Sequence, residues 1–180
     1  MKPVAILDPN ALVRTIELAR RTPEGCFVEV GVYRGGSAWP LAELARERGV
    51  KLHLFDTFTG IPFHRQDDTN RTGEFGDVSL ADVQSAIPDA VFHVGIFPET
   101  LPDDLQNIAF VHCDCDQYDS VSAVIDKLWP RMVSDGIMVF DDWNTHLGRQ
   151  AILERFPEPH QYCGRVYVVK GSCEAPKGRE

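Results

Sequence analysis

CFVEVGVYRGGS, residues 26–37, passes from apolar, β-branched residues to a glycine-bearing turn and a hydroxyl. Such a run reads as a buried strand handing over to a helix, and it sets the frame for the rest of the chain. KLHLFDTF (51–58), AVFHVGI (90–96), NIAFVHCD (107–114) and GIMVFDDW (136–143) are further runs of the same type. Helix-like segments separate them: SAWPLAELARERG (37–49), SLADVQSAI (79–87) and YDSVSAVIDKLWPRM (118–132). In the last of these, Val121, Val124, Ile125 and Leu128 recur at helical spacing. Alternation of this kind predicts βαβ units. The expected fold is α/β: a single Rossmann-like, doubly wound, mostly parallel sheet of about seven strands with helices on both faces. An opening helix over about 9–21, inside an N-terminal segment 1–22, precedes the first strand. RVYVVK (165–170) is expected to close the sheet as an antiparallel hairpin with residues around His160 to Cys163.

At 180 residues the chain is predicted to be one domain, 1–180, long enough to bury a substantial core, with a frayed tail at 171–180. A net charge of −9 argues against a duplex-DNA binder, which would need a basic face, so no nucleic-acid partner is expected. No stretch approaches the roughly 18 apolar residues of a membrane span, and the start has no apolar secretory core. A cytoplasmic location is the expectation. Five cysteines without CxxC pairs fit reduced thiols better than a disulfide framework. Residues 62–78, PFHRQDDTNRTGEFGDV, are polar and aperiodic, and they follow a strand's carboxyl end, where α/β sheets bind ligands. They read as a lid or substrate loop, or as plain disorder.

The first turn has the pattern ExGxxxGGS, Glu29 to Ser37, in place of the GxGxxG of a nicotinamide site. Glycines let the backbone approach a ligand, and the following helix start offers N–H groups to an anion. Glu29 suits an ammonium group. A ligand carrying both charges is an amino acid, and S-adenosylmethionine is the common cofactor that contains one. Gly31, Tyr33, Gly35, Gly36 and Ser37 are then cofactor contacts; the alternative is a tight turn without a ligand. Asp56, with Thr57 beside it, ends the second strand where an acid accepts from ribose hydroxyls, or else caps a turn. Gly95, Ile96 and Phe97, at the third strand's end, would flank an adenine ring by architecture.

VHCDCDQYDS (111–120) offers two cysteines and a DxD. Strand alternation sends Val111, Cys113 and Cys115 to one face and His112, Asp114 and Asp116 to the other. Cysteines so spaced, without a second pair, make a poor zinc site and read as core. If strands four and five are neighbours, about 4.8 Å apart, Asp114 converges with Asp141 and Asp142. Crowded carboxylates repel, and a hard cation such as Mg²⁺ relieves them. The alternative is that these acids cap loops and helices, Asp116 or Asp119 in particular.

EVGVYRGGS, LFDTFTGIP, VHCDCDQYDS and MVFDDW together resemble the macrocin O-methyltransferase family of class I S-adenosylmethionine enzymes, over roughly residues 24–150. A more distant likeness is to catechol O-methyltransferase. The resemblance implies methylation of a sugar hydroxyl of a natural product, a small-molecule acceptor. It implies Glu29, Gly31 and Ser37 on the methionine end, Asp56 on the ribose, and Asp114, Asp141 and Asp142 on the metal. The proton would go to Asp116 first, with Asp114 or His146 behind it. His112 and His64 read as structural or surface residues, and Arg149 as a solvated helix residue. The rivals are a metal-dependent glycosyltransferase using Asp114-x-Asp116 and a non-catalytic methyltransferase-like binding module. A homo-oligomer that closes an open substrate side is a further option.

Overall fold

The computed structural model describes residues 8–63, 67 and 70–172. Strands β1 (Cys26–Val30), β2 (Leu52–Asp56), β3 (Val91–Val94), β4 (Ile108–Cys113), β5 (Met132–Phe140), β6 (His160–Tyr162) and β7 (Arg165–Val169) form one sheet in the order β3-β2-β1-β4-β5-β7-β6. The first five are parallel; β7 is antiparallel to β5, and β6 to β7. This is the doubly wound sheet with a C-terminal hairpin that the apolar runs predict. A turn of two residues, Cys163 (φ 47) and Gly164 (φ 86), joins β6 to β7, both in the left-handed region that a tight hairpin twist requires.

The helices are α1 (Pro9–Arg20), α2 (Ala38–Arg48), α3 (Leu80–Ala86), α4 (Tyr118–Leu128) and α5 (His146–Arg155). Local chemistry sets their ends. Asp8 accepts from the Asn10 and Ala11 N–H groups ahead of Pro9, Gly49 ends α2 in the left-handed conformation, and Ser79 caps α3. Beyond the register shifts at the start of β4, the sheet alternates. Phe27, Leu54, Phe110 and Val139 bury against α1, α2 and α3, while Val28, Phe55, Val111 and Met138 bury against α4 and α5. Helix α5 is the element that apolar spacing does not delimit, because Ala151 and Ile152 are its only buried hydrophobic residues. Strand β5 starts earlier than GIMVFDDW suggests, with a register shift against β4 near Asp135 (φ 61). Among the described residues no helix joins β3 to β4; residues 95–107 cross as a loop that packs Phe97 and Leu101 on the core. The tail beyond Ser172, the start before Asp8 and His64 lie outside the described residues. So does part of the 62–78 loop. No helix is long and apolar enough to cross a membrane among the described residues.

Candidate functional site

A cavity of about 440 Å³ opens at the carboxyl ends of β1, β2 and β4, within the usual range of ligand pockets. Gly31, Tyr33, Gly36, Ser37, Asp56, Thr57, Gly95, Ile96, Phe97, Asp114, Asp116 and Asp141 line it, so the structure brings together most residues singled out from the sequence. Glu29, Gly35, Asp142 and His146 are not in the lining.

Glu29 departs furthest from expectation. Strand β1 points Val30 into the cavity, so Glu29, one residue earlier, lies on the opposite face with Phe27. There it is buried, and its Oε1 meets Nδ1 of His112, its register partner on β4, at 2.8 Å. Glu29 Oε2 and His112 Nε2 have no further partner. A ligand ammonium in the cavity is therefore not opposite Glu29. Gly31 is required for a different reason than ligand approach: it has φ +90, and a Cβ there would sit 1.6 Å from the carbonyl oxygen of Asp114. The β1 and β4 tips are joined at this point by the Asp114 N–H donating to the Val30 carbonyl at 2.9 Å.

Asp56 ties the first two strand tips together. Its Oδ2 accepts from the Val32 and Tyr33 N–H groups at 2.7 and 2.9 Å, and its Oδ1 accepts from Phe58 at 2.7 Å. A carboxylate has about four acceptor sites, so three are taken by backbone and one is left toward the cavity. Ser37 occupies the N-cap of α2 without using its side chain as a cap, and its hydroxyl side faces the cavity. Gly35 shapes the turn instead of the wall, donating to Val32 O at 2.8 Å. Tyr33 (φ 49) covers the cavity with Phe75 edge-on, ring centroids 5.4 Å apart. The Tyr33 hydroxyl donates to Asp77 at 2.6 Å, and Arg34 pairs with the same carboxylate. Ile61 and Pro62 complete this side, with Ile61 bonded to Glu74 and Gly73.

At the other end the acids gather, but not as three equal ligands. Asp142 is buried, and its Oδ2 accepts from the Cys115 and Asp116 N–H groups at 3.2 and 3.1 Å, holding the turn after β4. Asp141 is paired through Oδ1 with Nη1 of Arg165 on β7. Asp116 has φ 64 and is not the cap of α4, a position taken by Gln117. Burial pushes Asp142 up to about 8, with the charges of Asp116 and Asp141 adding to the rise. Burial likewise raises Asp116 to about 6, partly opposed by a hydrogen bond from Asn70. Asp114 is raised as well, by burial first and then by Asp141 and Asp142.

Among the described residues, one group of His, Cys, Asp and Glu ligand atoms lies mutually within 4.8 Å: Cys113, Cys115 and Asp142. The Cys113 and Cys115 sulfurs are 3.6 Å apart in the core. Burial raises the Cys113 thiol, and the hydrogen bond to Cys113 followed by burial raises Cys115. Two thiols with one carboxylate suit a soft cation and not a hard one. His146 begins α5, exposed and outside the cavity lining. The cavity residues that strand patterns do not single out include Asn144, Ser120, Asp8 and above all Arg165, whose position depends on β5–β7 pairing; Cys115, which alternation assigns to the core, also lines the cavity, because β4 ends at Cys113.

The sequence profile of the macrocin O-methyltransferase (TylF) family matches residues 11–173. The chain is 28% identical over 163 residues to the 8-demethyl-8-(2,3-dimethoxy-alpha-L-rhamnosyl)-tetracenomycin-C 4'-O-methyltransferase of Streptomyces olivaceus, covering 80% of this chain and 60% of that one. It is 27% identical over 143 residues to the demethyldecarbamoylnovobiocin O-methyltransferase of Streptomyces niveus, covering 66% of this chain and 53% of that one. The chain thus spans 60% and 53% of the length of these two relatives. A solved calicheamicin methyltransferase superposes with a TM-score of 0.80 at 20% identity, covering 91% of this chain and 79% of that one. The O-methyltransferase NovP does so at 0.74 and 22%, covering 89% and 78%. These two likenesses are of fold. With the family profile running from the opening helix to the end of the closing hairpin, the chain belongs to the macrocin O-methyltransferase family.

Proposed function

We propose that the chain transfers a methyl group from S-adenosylmethionine to a hydroxyl of a small molecule, a sugar of a natural product, with the help of Mg²⁺. One observation carries the reading: a single cavity has the glycine turn and Asp56 on one wall and Asp114, Asp116 and Asp141 at its end. A curated relative named for a rhamnosyl-bearing substrate supports the sugar as acceptor.

Gly95, Ile96 and Phe97, with Phe55 behind them, flank the adenine. The remaining acceptor site of Asp56 takes a ribose hydroxyl, and Ser37 with the start of α2 receives the carboxylate. With Glu29 turned away, the ammonium faces Asp114 across Gly31. A positive group there also relieves the acid crowding.

The carboxylates that line the cavity, Asp114, Asp116 and Asp141, are oxygen donors of the kind a hard divalent cation takes, although among the described residues the oxygens of Asp114, Asp141 and Asp142 do not lie mutually within 4.8 Å. Asp114, Asp141 and Asp142 would hold that cation, which supplies Lewis acidity to the acceptor hydroxyl when bound. Asp116 takes the proton. Its raised value keeps it a base near neutral pH and a better acceptor than an ordinary aspartate. Tyr33 and Phe75 would cover the acceptor from above, and transfer would require the cavity walls to hold its oxygen in line with the methyl group.

A thermal-shift panel of S-adenosylhomocysteine, UDP and NAD, each with and without Mg²⁺, tests the class, because a ligand of the native state must raise its stability. Stabilisation by S-adenosylhomocysteine is expected. Stabilisation by UDP–Mn²⁺ alone would transfer the site to the glycosyltransferase reading.

A further inference from the structure

Arg165 is the one cationic side chain lining the cavity among the described residues. The β5–β7 register, Phe140 against Val166, brings it directly opposite Asp141. Its side chain is 6% exposed, and Nη1 on Asp141 is its hydrogen bond. Nε and Nη2 are buried without a partner. A guanidinium held so sparingly is a poor stabilising device, since buried ion pairs return their desolvation cost only when the remaining donors are satisfied. What the location does supply is one positive charge against Asp114, Asp116, Asp141 and Asp142.

We propose that Arg165 is a built-in rival of the divalent cation for Asp141. While the guanidinium holds Asp141 Oδ1, that acid is withdrawn from the ligand set, and cation binding must displace the pair or proceed without it. Arg165 thereby sets how tightly this site holds a hard dication. The proposal rests on the reading of the acids as a cation site, and its test has a binding readout separate from turnover.

Mn²⁺ serves as the probe, titrated into the full chain and followed by the electron paramagnetic resonance of the free ion. Arg165→Met should bind Mn²⁺ at least tenfold more tightly than the parent, because an unpaired carboxylate is gained and a like charge is removed. Arg165→Lys, which keeps the charge, should stay near the parent. Adding Asp141→Asn to Arg165→Met should abolish the gain. If Arg165→Met is poorly folded by circular dichroism, Arg165→Gln supplies the neutral variant. An unchanged or weaker dissociation constant in the neutral variant overturns the proposal, as does a set in which no protein binds Mn²⁺. Calorimetry with S-adenosylhomocysteine on the same proteins tests the methyltransferase reading separately: its failure alongside a Mn²⁺ gain would sink that reading and leave the rivalry standing.

Discussion

Replacing Gly31 with alanine tests the joint between β1 and β4 on which the site depends. Two penalties are separable. The first is conformational: φ is +90, where an L side chain is strained by about 1–2 kcal/mol. The second is steric: the new Cβ would lie 1.6 Å from Asp114 O and 2.5 Å from its carbonyl carbon, both backbone atoms that no rotamer change can clear. Forcing such a contact apart adds about 1–3 kcal/mol in packed interiors. The sum, roughly 2–5 kcal/mol, corresponds to a fall in Tm of about 5–15 °C for a chain of this size. Gly49→Ala is the control, with φ +68 and nothing within 4 Å of the added carbon. It carries the strain alone, about 1 kcal/mol and roughly 2–4 °C. Differential scanning fluorimetry and urea melts measure both variants, and titration with S-adenosylhomocysteine reports whether spreading the two tips weakens the cavity as well. Equal losses in the two variants, or a Gly31→Ala protein melting within a degree of the parent, would refute the steric account.

Asp114→Asn should lose Mg²⁺-dependent turnover and, because the ammonium faces Asp114, should also weaken S-adenosylhomocysteine binding; full activity in that variant, or in EDTA, would remove the metal role. Asp116→Asn should lower turnover about 10²-fold or more, and in the parent the rate should fall below about pH 6, where Asp116 becomes protonated. His53 is held down to about 4 by burial first and then by the charge of His93, whose Nε2 lies 3.0 Å from its Nδ1; burial also lowers His93. The unfolded chain therefore takes up protons first, so this stability is present above about pH 6.5 and is lost as pH falls from there toward 4. After screening, the loss is on the order of 1 kcal/mol, and a His53→Gln protein whose Tm falls just as steeply between pH 7 and 5 would contradict it. Arg155 grips Asp126 through Nε and Nη2, both at 2.8 Å, so Arg155→Lys should cost about 1–2 kcal/mol in a urea melt by losing the two-pronged contact, and an unchanged midpoint would count against it.

The sheet was legible because each parallel strand is an apolar run, and five such runs need covering helices. The residues lining the cavity were legible for a related reason: ligands meet α/β sheets at strand ends, and Asp56, Gly95 and Asp114 sit at those ends. Glu29 was misplaced by one step of the pleat. The alternation that separates Cys113 from His112 on β4 also assigns Glu29 to the face of Phe27, away from Val30 and the cavity. The acids were found but not their partners. Asp142 is held by backbone N–H groups of a turn whose shape depends on Asp116 at φ 64, and Asp141 by a cation 24 positions later. That second contact exists only because β7 runs antiparallel beside β5 in one register. No local pattern encodes that pairing, which is why Arg165 stayed hidden.

The tight β6–β7 turn offers a practical handle. Cys163 is exposed at its apex, whereas Cys113 is buried and Cys26 and Cys115 are partly covered. Burial raises the Cys26 thiol to about 11, so alkylating dyes should discriminate in favour of Cys163. A fluorophore placed there stands two residues from Arg165, on the same hairpin, once Cys173 is replaced by serine. Any rearrangement of the Arg165–Asp141 contact on ligand arrival would take place two residues from the dye. The hairpin would then act as an optical gauge of site occupancy that needs no knowledge of the acceptor.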